Sequence, residues 1–260
     1  MDLELDGDAA LVTASTSGLG KASAAALARE GANVVVCSRS ESNLDAALSD
    51  LRPEAVGDVE GVVADVTDPD DVEAVVEAAV DAFGGLDHVV TSAGGPPSGS
   101  FLDTRERDWY EAYDLLVMSV VRTLKAAHSH LVDGGGTVTC IASTSVEEAI
   151  DGLVLSNAVR RGVVGLAKTI AREWAPDVRA NVVMPGTHET PRITDLVEQG
   201  VERGEYSSFE AGLADWTDDV PLERAGNPEE FGNVVAFLAS ERAGFVNGAS
   251  VPVDGGRMRG

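Results

Sequence analysis

Three polar side chains near the middle of the chain carry hydroxyl and guanidinium groups that could serve chemistry. They are Ser143, Ser156 thirteen residues later, and Arg160 four residues after that. An apolar run at 138–142 ends in Ser143. Ser156 and Arg160 are one helical turn apart, so they share a face. Two hydroxyls can orient a carbonyl or alcohol oxygen. A guanidinium adds fixed positive charge and N–H donors, but it does not act as a proton shuttle. A serine hydroxyl is a weak acid, close to water at about 15.7. Tyrosine, at about 10, is stronger by a gap worth about 7 kcal/mol at full proton transfer. A general acid typically contributes about 10²–10⁴ in rate, and positioning can contribute as much or more.

The elements that must position these groups alternate. Strands are expected at 9–13, 33–37, 61–64, 86–91, 137–142, 178–183 and 250–253. Helices are expected at 18–30, 41–51, from 68 onward, 105–131, 153–174, within 190–214 and at 228–240. Asp68-Pro69-Asp70-Asp71 reads as an N-cap, a first-position proline and acids on the helix dipole, not as a metal site. Strands alternating with helices of ten or more residues mean right-handed βαβ units and a parallel sheet covered on both faces. The expectation is one α/β domain over 1–260, a doubly wound Rossmann fold with a seven-stranded, mostly parallel sheet. Pro252 places the last strand at an edge. Ligands of such sheets bind beyond the carboxyl ends of the strands.

Two of those ends suit a dinucleotide. The first strand runs into Thr13-Ala14-Ser15-Thr16-Ser17-Gly18-Leu19-Gly20, which opens a helix. Glycines there let backbone approach a pyrophosphate on the helix N-terminus; the plain alternative is a tight turn. The second strand ends in Cys37-Ser38-Arg39. An acid there would hold the ribose of NAD, whereas Ser38 and Arg39 suit a 2′-phosphate. NADP(H) is therefore the preferred cofactor and NAD(H) the second choice; the alternative for Arg39 is a solvated loop residue.

Taken together, these residues resemble the short-chain dehydrogenase/reductase family over essentially the whole chain, most closely its 3-oxoacyl-carrier-protein-reductase-like branch. Residues 13–20 resemble the TGxxxGxG loop, with Ala14 in place of its first glycine. Asp65-Val66 resembles the adenine-contacting pair, and Thr91-Ser92-Ala93-Gly94 the NNAG turn. Asn181, Pro185, Gly186 and Thr190 follow the loop that holds the nicotinamide carboxamide. Pro221-Leu222-Glu223-Arg224 and Val253-Asp254-Gly255-Gly256 match C-terminal signatures. The resemblance implies cofactor contacts from Thr13, Ser15, Ser17, Gly18, Leu19, Gly20, Ser38, Arg39, Asp65, Val66, Ala93, Gly94, Arg160, Pro185, Gly186 and Thr190. It implies a catalytic frame of Ser143, Ser156 and Arg160, a substrate lid over 190–216, and a homotetramer or homodimer.

The frame departs from the family's chemistry. The family's tyrosine position is Ser156, its lysine position Arg160, and its asparagine position, seven residues after Trp109, is Leu116. No Tyr-x-x-x-Lys occurs. Tyr113, one turn before Leu116, and His188, in the nicotinamide loop, are candidate replacements; each has a packing or loop role as its alternative. The loop at 94–99 is expected to shape the substrate pocket. The leading expectation is an NADP(H)-dependent oxidoreductase acting on a carbonyl/alcohol pair with altered catalytic residues. The alternatives are a nucleotide-binding pseudoenzyme that senses or scaffolds, and a purely structural oligomer, against which Gly18 and Gly20 argue.

Composition sets the outer limits. Forty-four acidic residues face nineteen basic ones, a net charge of −25, and only Lys21, Lys125 and Lys168 are lysines. Such a chain repels nucleic acid and anionic membrane. It also repels itself unless salt screens it, as a Debye length of about 3 Å at 1 M would. A salt-loving source is the expectation, with an ordinary acidic protein as the alternative. There is no run of eighteen apolar residues and no basic segment near Met1, so neither a membrane span nor a signal peptide is expected. Cys37 and Cys140 read as buried free thiols of a cytoplasmic protein. His128 and His130 do not share a helix face, and no metal site is expected.

Overall fold

The computed structural model describes residues 2–259, so Met1 and Gly260, the two ends of the expected domain, lie outside the described residues. The strands are β1 (Ala9–Val12), β2 (Asn33–Ser38), β3 (Val59–Val63), β4 (His88–Thr91), β5 (Gly136–Ile141), β6 (Val178–Pro185) and β7 (Ser250–Val253). The helices are α1 (Gly18–Arg29), α2 (Glu41–Leu51), α3 (Pro69–Phe83), α4 (Glu106–Tyr113), α5 (Ser119–Gly134), α6 (Val154–Val159), α7 (Arg161–Glu173), α8 (Pro191–Glu202), α9 (Phe209–Asp215) and α10 (Pro228–Ala239). All seven strands pair in parallel, in the order β3-β2-β1-β4-β5-β6-β7. Pro252 does lie on an edge strand.

Alternation along each strand builds two cores. Leu11, Val35, Cys37, Val89 and Val138 pack on one face with α3, α5 and α7. Ala10, Val12, Val34, Val36 and Val90 pack on the other with α1, α2 and α10. The helix ends follow local chemistry. Asp68 caps α3 through the N–H groups of Asp70 and Asp71, Pro69 takes the first helical position, and Gly84 ends the helix at φ 81°. Cys37 and Cys140 are free and buried, and burial raises both thiols to about 11. Among the described residues, no helix is long and apolar enough to cross a membrane, and no group of ligating side chains could hold a metal ion.

Four expected elements differ. The third strand begins at Val59, because Gly61 pairs with Val36 in mid-strand and leaves its missing side chain's space to Leu44 and Leu48. The helix expected over 105–131 contains a π turn at Asp114–Met118. Around that turn, Ser119 and Thr123 donate their hydroxyls to the Leu115 and Ser119 carbonyls, and Arg122 reaches back to Asp114 at 2.6 Å. The helix expected over 153–174 divides at Arg160, where the Val163 N–H bonds the Arg160 carbonyl in a tightened turn. The lid segment folds as two helices, α8 and α9, with Tyr206 seated against Gly200 and Gly212 between them.

The α1 and α10 axes approach closely because both contact surfaces are small. A Cβ at Gly232 would lie 2.3 Å from the Ala22 carbonyl oxygen and 3.2 Å from Ala26 Cβ. Gly232→Ala is therefore expected to lower stability by about 1–3 kcal/mol through overpacking, read as a lower denaturant midpoint at unchanged m-value.

Candidate active site

Strand order reverses beside β1, so the loops after β1 and β4 leave in opposite directions and open a crevice. Thr13 fixes the two edges of that crevice. Its N–H bonds the Val90 carbonyl at 3.0 Å, its hydroxyl donates to the Ser92 carbonyl at 2.7 Å, and Ser92 N–H donates back to that hydroxyl at 2.8 Å. Ser15, fully buried, donates to the Val12 carbonyl at 2.6 Å and accepts the Cys37 N–H. Thr13 and Ser15 therefore hold the loop from behind and do not line the cleft. Ala14, where the resemblance expects glycine, adopts φ 46°, a left-handed conformation that costs an alanine about 1–2 kcal/mol.

Ser17, Gly18, Leu19 and Gly20 line the cleft at the start of α1. The first turn of α1 contains no acid, and its N-cap Ser17 makes no side-chain cap bond. Its amide dipoles therefore face the cleft without a side-chain partner. A Cβ at Gly20 would meet the Ala14 carbonyl at 2.9 Å and Ser92 Oγ at 3.1 Å, so the loop closes only around glycine. Ala93, Gly94, Pro185, Gly186 and Thr190 complete this half of the lining. Ser38, Arg39, Asp65 and Val66 lie beyond it. Arg39, largely exposed, faces Asp65 at 3.8 Å. Burial alone would raise the Asp65 carboxyl, but hydrogen bonds from Thr67 and the Arg39 charge outweigh it and hold the group below its ordinary value. Val66 is part of the core.

Ser143, Ser156 and Arg160 all line the same cleft. The Ser143 hydroxyl accepts the Ser145 N–H at 3.1 Å, which leaves its own hydrogen free to donate. Ser156 Oγ lies 3.2 Å from Ser145 Oγ, both buried. Arg160 crosses to the ends of β4 and β5: its Nη2 donates to the Gly94 carbonyl at 2.7 Å, and Nη1 lies 3.5 Å from the Ile141 carbonyl. Burial first, and the Arg192 charge second, push its guanidinium down to about 10, which leaves it cationic at neutral pH.

The other candidates fall differently. Leu116 is buried and apolar, and Tyr113 is half exposed, away from the cleft. Among the described residues no tyrosine lines the cleft. His188 does line it, but its ring packs edge-on against Phe231 and meets the Gly186 carbonyl at 3.2 Å. Burial holds it below its ordinary value, so it is neutral at pH 7. Sequence reasoning missed Ser145 and Arg257 and included Arg192 and Trp216 only as part of the expected lid segment; all four support or line the cleft. Only the 3₁₀ turn after Ser143 could have flagged Ser145; no spacing rule marks the others.

The segment expected to form a lid rests on the loop at 94–99. Arg192 Nη2 donates to the Pro96 carbonyl at 2.7 Å, Ser98 donates to Gln199 Oε1 at 2.7 Å, and Arg203 Nη1 donates to Ser98 Oγ at 3.2 Å. A hydroxyl and a carbonyl of the same loop thus tie α8 to it.

Comparison with known proteins agrees with this geometry. Residues 13–257 match the family model described as enoyl-(acyl carrier protein) reductase. The chain is 34% identical over 255 residues to dehydrogenase/reductase SDR family member 4 of Sus scrofa, covering 97% of this chain and 88% of that one. It is 30% identical to the 3-oxoacyl-[acyl-carrier-protein] reductase FabG of Thermotoga maritima, over 98% and 99% of the two chains. The structure of L-sorbose reductase from Gluconobacter frateurii, complexed with NADPH and L-sorbose, superposes with a TM-score of 0.93 at 31% identity, covering all of both chains.

Ser98→Ala removes both side-chain bonds of Ser98 at once. Each such bond is worth about 1 kcal/mol, so amide hydrogen exchange across α8 is expected to rise by about thirtyfold while the central strands are unchanged. Exchange mass spectrometry reads both regions in one experiment.

Proposed function

The chain belongs to the short-chain dehydrogenase/reductase family, and from that premise we propose that it is an NADP(H)-dependent oxidoreductase acting on a carbonyl/alcohol pair with an altered proton-donating group. The observation that carries this reading is convergence. Ser143, Ser156 and Arg160 share one cleft with the glycine loop and the open first turn of α1. That cleft also contains no Asp or Glu among its described lining residues, in a chain of net charge −25.

The residues present fit a dinucleotide. The acid-free, uncapped start of α1 suits a pyrophosphate, and Gly18 and Gly20 present their backbone to the cleft without side chains. Ser38 and Arg39, at the exposed end of β2, suit a 2′-phosphate, which favours NADP(H) over NAD(H). The bound nicotinamide would supply the hydride. Ser143, its oxygen already accepting from Ser145 N–H, donates its hydrogen to the substrate oxygen and orients it. Ser156 and Ser145 form a hydroxyl pair that can pass a proton to or from that oxygen. Arg160 adds positive potential where negative charge develops on oxygen and holds the turn after β4 in place. Arg160 moves no proton itself.

Turnover is tested by NADPH oxidation with a panel of ketones and 3-oxoacyl thioesters in molar KCl. Ser156→Ala is expected to lower kcat by about 10²-fold, with KM changed little, as loss of a general acid does. Tight NADPH binding with no turnover on any substrate would instead favour the pseudoenzyme reading, since Ser156 is a weak acid already bonded to Ser145.

The acidic surface supports a further part of the proposal, a salt-loving source with a concentrated-salt cytoplasm in which the chain works as a homotetramer or homodimer. The melting temperature is expected to rise steeply from dilute to molar KCl as screening relieves self-repulsion, with light scattering reading the oligomer in the same samples. A flat or falling melting temperature would contradict it.

A further inference from the structure

Two guanidinium groups in the cleft have no carboxylate within ion-pair distance, although the charge of Asp195, on the same helix, acts on Arg192 from further away. Most arginines of this acid-rich chain do have one. Arg257, which also lines the cleft, pairs with Asp219 at 2.9 Å. Arg179 lacks an acid but spends its N–H groups on the Leu238, Val246, Ala239 and Ser240 carbonyls. Arg192 makes neither arrangement. Among the described contacts, its single hydrogen bond is to the Pro96 carbonyl, and four of its five N–H groups are unused. Its guanidinium lies against the backbone of Gly95, where a Cβ would come within 2.5 Å of Nε and 2.7 Å of Cζ. Arg160 is held one residue away, on the Gly94 carbonyl. The two cations are close enough to repel, and burial depresses both. Half-buried positive charge of this kind is costly unless an anion joins it.

The position of the pair distinguishes two sources of that anion. The expected pyrophosphate site is at Ser17, Gly18 and Leu19, and a Cβ added at Gly18 would meet the Thr190 side chain at 3.6 Å. Arg192 lies two residues further on, against Gly95 and Pro96, with apolar Ile150, Leu153 and Leu196 also lining the cleft. Ser156 lines this same cleft, and the oxidoreductase reading puts the substrate beside it. Adopting the oxidoreductase reading above, we infer that Arg192, with Arg160 beside it, selects a substrate that carries a carboxylate close to its reacting carbonyl, a short oxo acid or its hydroxy acid. A planar guanidinium pairs with a carboxylate through two parallel N–H bonds, which fixes the carbonyl's direction as well as its affinity. Arg192 is then a specificity-determining residue, and Gly95 is the glycine that makes room for it.

The test uses the full chain saturated with NADP⁺, so that no reduction occurs, at one fixed KCl concentration. Calorimetry compares acetoacetate with methyl acetoacetate, which differ in the charge. The acid is expected to bind at least about tenfold tighter, the size of one charge-assisted contact. Arg192→Met is expected to bring the two within about twofold and to leave NADPH affinity, followed by fluorescence, unchanged. Gly95→Ala, which displaces the guanidinium from the loop side, should erase the same preference with Arg192 still present. The inference is overturned if wild type takes the ester as well as the acid or takes neither, or if the preference survives Arg192→Met. It is equally overturned if Arg192→Met weakens NADPH instead, since the guanidinium then serves a cofactor phosphate. Absence of NADPH binding in the wild type is a separate result and contradicts the oxidoreductase reading itself.

Discussion

The bonds of Thr13 hold open the crevice on which the site depends. Parallel strands expose their carboxyl ends on one side only, and loops from neighbouring strands would ordinarily close over one another. Beside β1 they diverge. Thr13 joins β1 to β4 there with three hydrogen bonds, two of them through one hydroxyl. Ser15 joins the same loop to β2. With the floor set, the glycine loop, the 94–99 loop and the lid can only meet across the gap. Ser143 and Arg160 then come from β5 and from the break between α6 and α7 to face it.

Electrostatics gives this crevice its character. The chain's surface is strongly negative, yet the described lining of the cleft is free of carboxylates and contains Arg160, Arg192 and Arg257. Charges of one sign gathered in a low-dielectric cleft focus potential and draw in an oppositely charged ligand. The surface and the cleft thus oppose each other: the surface repels anions at long range, and the cleft attracts them at short range. Salt that screens the first over about 3 Å at 1 M leaves the partly buried second much less affected.

Much of the fold was legible because it follows from period and punctuation. The seven strands, their parallel pairing and the edge position of Pro252 came from apolar runs separated by helix-length segments. The Asp68-Pro69 helix start was readable residue by residue. What was not legible was either a local break inside a continuous helical pattern or a contact between residues far apart in sequence. The π turn at Asp114–Met118 leaves no mark in apolar periodicity, and the division at Arg160 lies within a continuous helical pattern. In the site, Ser143, Ser156 and Arg160 were singled out by the family resemblance, and all three line one cleft. Thr13 and Ser15 look like ligand contacts in sequence, but their hydroxyls are taken by backbone. Arg192 was invisible because its significance lies in what it lacks, a carboxylate partner, and in its seat on Gly95, ninety-seven residues away in sequence.

The central claim is that this cleft moves a hydride between a nicotinamide and a carbon–oxygen bond although the usual acid is absent. Isotope transfer tests that most directly. The chain is incubated in molar KCl with NADPH deuterated at the transferable C4 position and with a ketone or oxo-acid panel, and the alcohol products are read by mass spectrometry. The account predicts one deuterium on the carbinol carbon of at least one product, with its appearance slowed in Ser156→Ala. Saturable NADPH binding with no deuterium in any product would contradict it.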